Sequence, residues 1–268
     1  MAGERKLGEG REAEIFAWED GRILRLLRDP GAIEQNQAQA SALRAIKEAG
    51  GPVPGVYGIV TVDGRPGLLM ERIQGPSLLA KLAARPWTIR AAARMMAELH
   101  LRMHAIAAPA EIVSVHERLE SQMHSKRIPA ELSNAGLELL GRLPTGDRVC
   151  HGDFHPDNIM VSGTDAIVID WTNLAKGDPH ADVARTMVLG RWGLPTDAPL
   201  PLRLLAKGGR HLLLRRYLSA YQRSTPLDSE LLGQWEFVVA IARLAEGIAG
   251  EKKRISAWAL RRLNEEKS

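Results

Sequence analysis

The chain holds a single cysteine, Cys150, among its 268 residues. An intramolecular disulfide is impossible, so a secreted cross-linked scaffold is excluded. No uncharged apolar run reaches the roughly 18 residues of a spanning helix. The opening Met1-Ala2-Gly3-Glu4-Arg5-Lys6 has no apolar signal core. A cytoplasmic soluble protein with no membrane partner is the expectation. A strong charge of one sign is also missing. The net charge is +4, from 36 basic and 32 acidic residues, too small and too dispersed to point to nucleic acid. Lys252-Lys253-Arg254 and Arg261-Arg262 are followed by Glu265 and Glu266 and read as a solvated helix face. The six tryptophans are scattered and form no stacking platform. Internal repeats and low-complexity segments are absent. No obligate protein partner is indicated.

What remains is an ordinary globular composition, 45% hydrophobic and 25% charged, long enough for one large domain or two lobes. Two textures divide it. From about Leu7 to Ile73 the chain reads as two hairpins flanking one helix. Glu19-Asp20-Gly21 turns Ile15–Trp18 back into Arg22–Leu27, and Asp63-Gly64 turns the Val56–Val60 strand into Gly67–Met70. Between them, Ala32–Ala49 has helical composition, stopped by Gly50-Gly51-Pro52. Gly75-Pro76-Ser77 is the candidate boundary. Helical patterns follow at Ile89–Ile106, Leu202–Arg223 and Ser229–Ala249. A strand-rich interruption runs from Val149 to Asp170, with a small hairpin turning at Gly163-Thr164-Asp165.

That interruption carries the chemistry. Phosphoryl transfer needs a carboxylate to hold an acceptor hydroxyl, hard oxygen ligands for Mg²⁺, and donors for the phosphates. His151-x-Asp153, then Asn158, then a strand ending at Asp170, supplies the first two. Asp153 would take the hydroxyl; Asn158 and Asp170 would hold the metal. The intervening hairpin returns Asp170 beside the loop. A rival reading gathers His151, Asp153 and His155 into the metal cluster of a hydrolase, but it leaves Asn158 and Asp170 unexplained. His100 and His104 have zinc-binding spacing on a helix. Residue 101 is Leu where the zinc-protease motif needs Glu, so they read as a packed or hydrogen-bonded face. Cys150 reads as a small core residue.

The string His151-Gly152-Asp153-Phe154-His155-Pro156-Asp157-Asn158-Ile159-Met160 resembles the catalytic loop of the aminoglycoside phosphotransferase and choline kinase family. Val168-Ile169-Asp170-Trp171 resembles its metal-binding segment, and Gly177-Asp178-Pro179-His180-Ala181-Asp182 the stretch that follows. The resemblance implies an α+β, protein-kinase-like fold. A small antiparallel-sheet nucleotide lobe would span residues 1–73, and a larger, mainly helical catalytic and acceptor-binding lobe 74–268. It implies ATP and Mg²⁺ as cofactors and a small-molecule hydroxyl as substrate, an aminoglycoside or a related amino alcohol or sugar. His151 and His155 are then supports of the loop. The span from Asp170 to Asp182 leaves no room for a long activation loop.

On the N-terminal side, Gly8 and Gly10 sit where the family has its nucleotide-covering loop. The family also expects a Lys on the third strand paired to a Glu on the next helix. This chain departs from both: Arg25 occupies the strand and Gln39 the helix, with Glu34 an alternative for the latter. Arg is not a conservative stand-in for Lys at such a site, so a nucleotide-binding protein with little transferase activity is the alternative function. Glu71 and Ile73 fall at the expected adenine-binding hinge. Candidate acceptor carboxylates are Asp178, Asp182, Glu236 and Glu246, with Arg243 as a competing partner for Glu246.

Overall fold

A computed structural model describes residues 5–10, 12–163, 165–193, 200–248 and 250–266. Arg11 of the glycine-rich stretch, Thr164 of the small turn, Ala249 and the opening Met1–Glu4 lie outside the described residues. An antiparallel sheet leads the chain: β1 (Lys6–Glu9), β2 (Ala13–Trp18), β3 (Arg22–Leu27), β4 (Val56–Val62) and β5 (Arg65–Glu71), in the spatial order β1-β2-β3-β5-β4. The Asp-Gly turns form as the sequence reads. Asp20 and Gly21 lie at φ 56° and 68°, Asp63 and Gly64 at 50° and 74°. Positive φ at both central residues matches the right-handed strand twist.

One face of this sheet presents Leu68 and Met70, both buried, beside Ile23 and Arg25; Leu24 and Leu26 are buried on the other face. Helix α1 (Ile33–Glu48) covers the first face with Ala40, Leu43 and Ile46. Burying each such Leu or Ile contributes about 1.5–3 kcal/mol. α1 ends at Glu48, with Gly50 beyond it at φ 83°. The chain leaves the sheet through Gly75, at φ 126°, where a Cβ would sit 2.1 Å from the Val161 carbonyl oxygen. Only glycine admits this approach. The Val161 N–H then donates to Pro76 O at 3.1 Å, and Ser77 Oγ to Asp157 at 2.7 Å. The crossing is therefore tied to the loop at Asp157 and the hairpin strand that follows it.

The helical lobe contains α2 (Leu78–Ala84), α3 (Ile89–His104), α4 (Val115–Met123), α5 (Ala130–Leu140), α6 (Pro179–Trp192), α7 (Leu200–Gln222), α8 (Ser229–Arg243) and α9 (Lys252–Glu266). Two short ribbons lie among them: β6 (Arg148–Cys150) with β9 (Ala175–Gly177), and β7 (Ile159–Ser162) with β8 (Asp165–Val168). α3 packs on α7 and α6 on α8, around Trp235, Tyr217, Tyr221, Phe154 and Phe237. Cys150 is buried here, as a core residue should be. Side-chain caps fix several helix starts: Ser114 and Glu117 form a capping box on α4, Asp178 caps α6 and Asp228 caps α8.

Two expectations change. The helix from Ser229 ends at Arg243, not Ala249; a 3₁₀ turn (Leu244–Glu246) follows, then Gly247 at φ 66°. A left-handed glycine is a common helix stop, and here it carries Glu246 off the helix. The basic C-terminal face is also less solvated than its charges imply. Arg254 lies over the Trp192 ring at 5.4 Å and Arg262 over the Phe237 and Trp258 rings at 5.9 Å. Among the described residues, no helix is long and apolar enough to cross a membrane.

Candidate active site

A cleft of about 1270 Å³ separates the sheet from the helical lobe. A pocket for a single small ligand runs to about 300–1,000 Å³, so this one has room for two substrates. Asp153, Asn158 and Asp170 all line it, as do Gly8, Gly10, Arg25, Gln39, Glu71, Ile73, His155 and Glu246.

The loop from His151 to Asn158 is held peptide by peptide. His151 is buried; its Nε2 donates to Ile169 O at 3.0 Å and its Nδ1 accepts the Asp153 N–H at 3.2 Å. Both ring nitrogens are committed to the loop, which removes His151 from any hydrolase-type metal cluster. Gly152 adopts φ 73°, and a Cβ there would lie 2.6 Å from Asn173 O. The Gly152 carbonyl accepts from Arg185 Nε at 3.0 Å, and the Phe154 carbonyl from Thr186 Oγ1 at 3.0 Å.

Asp153 sits at the centre of this frame. Burial raises the pKa of its carboxyl, but His155 and Arg185 outweigh burial and hold it below the usual carboxylate range. Its Oδ2 lies 3.5 Å from His155 Nε2, and its Oδ1 3.8 Å from Arg185 Nη2. Asn158 Nδ2 donates to Asp153 O at 3.0 Å, and this fixes the amide so that Oδ1 is the atom left for a metal. Asp170 takes φ 60°, ψ 65°, a left-handed conformation costly outside glycine. Thr172 Oγ1 donates to its Oδ1 at 2.7 Å. Two hard oxygen donors, one amide and one carboxylate, share the cleft with Asp153; that donor set suits Mg²⁺.

Arg25 reaches this group from β3. Its Nη1 donates to Gln39 Oε1 and its Nη2 to Thr172 Oγ1, both at 3.0 Å, while Gln39 Nε2 donates to Trp171 O at 2.9 Å. The Lys–Glu ion pair of the family pattern is thus replaced by a hydrogen-bonded fork that also touches the Asp170 segment. Glu34, the alternative, is exposed at the start of α1. Burial lowers the Arg25 pKa, opposed by Asp170 and Glu12. Gly8 belongs to β1, with no heavy atom within 4 Å of a Cβ built there, and neither Gly8 nor Gly10 has positive φ. Open approach to the cleft, not backbone strain, is what these glycines provide. At the hinge, Glu71 Oε2 accepts from Gly55 N at 2.9 Å.

Three of the four acceptor carboxylates do not line the cleft. Asp178 caps α6 and accepts from His180 N and Nδ1 at 2.7 Å. Glu236 is paired to Arg191 at 3.1 Å; burial raises its pKa and Arg191 opposes that. Asp182 is 2% exposed and lies beneath the loop. Its Oδ2 accepts from His151 N at 2.6 Å, and its Oδ1 from Gly152 N at 2.8 Å. His100 and His104 Nε2 approach Oδ2 at 3.0 and 3.4 Å, and their Nδ1 atoms meet the Tyr217 and Tyr221 hydroxyls at 2.5 and 2.7 Å. The two histidines do share a carboxylate, as zinc ligands would. Every ring nitrogen and both Asp182 oxygens are already hydrogen-bonded, however, so the arrangement reads as a brace. Burial and His104 push His100 down to about 4. Burial raises the Asp182 pKa, but the two histidines overcome it and hold the carboxyl well below its usual range. Glu246 does line the cleft, paired to Arg243 as one reading of the sequence foresaw, and also to Arg185. Sequence reasoning missed Arg185, Thr172, Thr186 and both tyrosines.

Fold and cleft together define the class: a small-molecule phosphotransferase built on the kinase plan. The profile of the family described as "Phosphotransferase enzyme family" matches residues 4–226, and the chain belongs to that family. Solved structures agree on the fold. Aminoglycoside phosphotransferase APH(4)-Ia is similar over 97% of this chain and 91% of its own, at 17% identity and a TM-score of 0.64. APH(3'')-Id from Streptomyces rimosus, solved with ADP and streptomycin, matches over 85% and 90%, at 17% identity and 0.58. A putative fructosamine-3-kinase from Haemophilus somnus matches over 96% and 90%, at 15% identity and 0.64.

Proposed function

We propose that the chain transfers the γ-phosphoryl group of ATP to a hydroxyl of a small molecule. The observation that carries this reading is the convergence of Asp153, Asn158 and Asp170 on one cleft large enough for both substrates. Complexes of similar folds with AMP-PNP and with ADP support a nucleotide as donor. Asn158 and Asp170 would hold Mg²⁺, which when bound supplies positive charge against the phosphates. Asp153, kept ionised by His155 and Arg185, orients the acceptor hydroxyl and takes its proton. The hydroxyl oxygen forms a bond to the γ-phosphorus as the β–γ bridging P–O bond breaks, and ADP leaves. Arg25 donates to the phosphates from the sheet side. In this reading residues 1–73 form the nucleotide lobe, 74–268 the catalytic lobe, and the cytoplasm supplies the ATP.

The test is transfer of γ-³²P-phosphate from ATP across a panel of hydroxylated amines, antibiotics, sugars and acids, with and without Mg²⁺. Acceptor-dependent, Mg²⁺-dependent labelling is expected. ATP-induced thermal stabilisation without labelling of any acceptor leaves only a nucleotide-binding protein. Tightly bound zinc or manganese with ATP-independent activity sinks the proposal in favour of a hydrolase.

A further inference from the structure

The acceptor side of the cleft pairs its carboxylates with arginines. Among the described lining residues, Glu9, Glu12 and Glu71 belong to the sheet lobe and Asp170 to the metal-binding segment. On the side built by α4, α6 and the turn after α8, the lining carboxylates are Asp153 and Glu246. Glu246 is already taken. Arg185 Nη2 lies 2.6 Å from its Oε1 and Arg243 Nη1 3.1 Å from its Oε2. Arg243 is in turn gripped by Glu251 at 2.6 and 2.9 Å.

A third guanidinium stands behind these. Arg118 shares a small recess with Gly152, Asn173 and Arg185. It donates to Asn173 Oδ1 at 3.0 Å and Leu174 O at 2.9 Å, and its Nε is buried without a hydrogen-bond partner. Burial lowers its pKa, Glu12 opposes that, and the like charge of Arg185 lowers it further. Arg185 and Arg243 thus pair Glu246 and Glu251, so the carboxylates on this side other than Asp153 are each taken up by a guanidinium. Arg185 is the member nearest the reacting position, 3.8 Å from Asp153 Oδ1. A polycation placed here would meet arginines and would have to break Glu246 from both partners. An anion would find a fork-shaped donor beside the hydroxyl site.

We propose that the acceptor is an anionic hydroxyl compound, bearing a carboxylate or a phosphate close to the reacting hydroxyl, and that Arg185 holds this group. The proposal rests on the phosphotransferase reading above. It is tested with the full chain and Mg²⁺·ATP against four acceptor sets: hydroxy acids, sugar phosphates, neutral sugars, and aminoglycosides with amino alcohols. Turnover of the hydroxy acids or of the sugar phosphates is expected, and the responding set distinguishes carboxylate from phosphate. Arg185→Gln raises the KM for that acceptor at least roughly tenfold, the weight of a charge-assisted pair. Arg185 also supports Gly152, so Glu246→Gln is the second variant. It keeps shape and removes the competing carboxylate. The KM for an anionic acceptor then falls by roughly threefold, whereas a cationic acceptor would lose its carboxylate and its KM would rise. Turnover confined to cationic or neutral acceptors overturns the inference and leaves the phosphotransferase reading standing. No acceptor-dependent transfer in any set overturns both.

Discussion

Asp182 offers the sharpest test of how the loop is held. As one candidate among the acceptor carboxylates it would affect only acceptor binding; in the structure it carries the loop. Its Oδ2 serves His151 N, His100 and His104, and its Oδ1 serves Gly152 N. Asp182→Asn keeps the shape but can present an oxygen to only one side. Retaining the three donors at Oδ2 turns the new NH₂ against the Gly152 N–H, and the negative charge that strengthened every bond is gone. Losing one partner of a buried charged network costs about 3–5 kcal/mol. A domain of this size loses about 2–4 °C of melting temperature per kcal/mol. The expected fall is therefore roughly 6–20 °C by calorimetry. kcat should drop with it, because the peptide preceding Asp153 loses its anchor. A variant that melts within about 2 °C of wild type and changes only the acceptor KM would show that Asp182 contacts substrate after all, and the brace argument would be wrong.

Three further outcomes follow. Stability should be sensitive to mild acid through His100: its native pKa of about 4 lies below the ordinary 6.5, so the unfolded chain takes up the proton first. The contribution is complete above about pH 6.5 and is lost as pH falls toward 4, amounting to about 3 kcal/mol; a urea midpoint that stays constant from pH 7 to 4.5 contradicts it. Gly152→Ala must place a Cβ at φ 73° and 2.6 Å from Asn173 O; a loss of at least about 1–2 kcal/mol is expected on unfolding, with turnover abolished, and wild-type activity would refute the loop geometry. Arg25→Gln should raise the KM for ATP by roughly 10- to 100-fold, the worth of one charge-assisted phosphate contact; an unchanged KM removes Arg25 from the nucleotide site.

The hairpins and the central site were legible because their signals are local. Asp-Gly demands two positive φ values, and Asp20-Gly21 and Asp63-Gly64 have them. Asp153, Asn158 and Asp170 announce themselves by spacing, and the fold brings them to one cleft. The rest depends on burial, which no short window of sequence states. Asp178 and Asp182 look alike in sequence, yet one caps a helix and the other is sealed beneath the loop. The four-residue spacing of His100 and His104 was visible; their shared partner, 78 residues and more away, was not. Arg185 and Thr186 gave no pattern of their own, since their bonds to Gly152 and Phe154 exist only once α6 docks on the loop. Glu246 was misplaced onto a helix because Gly247 gives no sign, before folding, that it will end one early.

The most direct test of the central claim is the rate of γ-phosphoryl transfer by Asp153→Asn beside wild type, at saturating Mg²⁺·ATP and acceptor. The account predicts a fall in kcat of about 10²–10⁴-fold, the range for a positioned base, with ATP still raising the melting temperature of the variant. Transfer at the wild-type rate by a variant that binds ATP normally would contradict it.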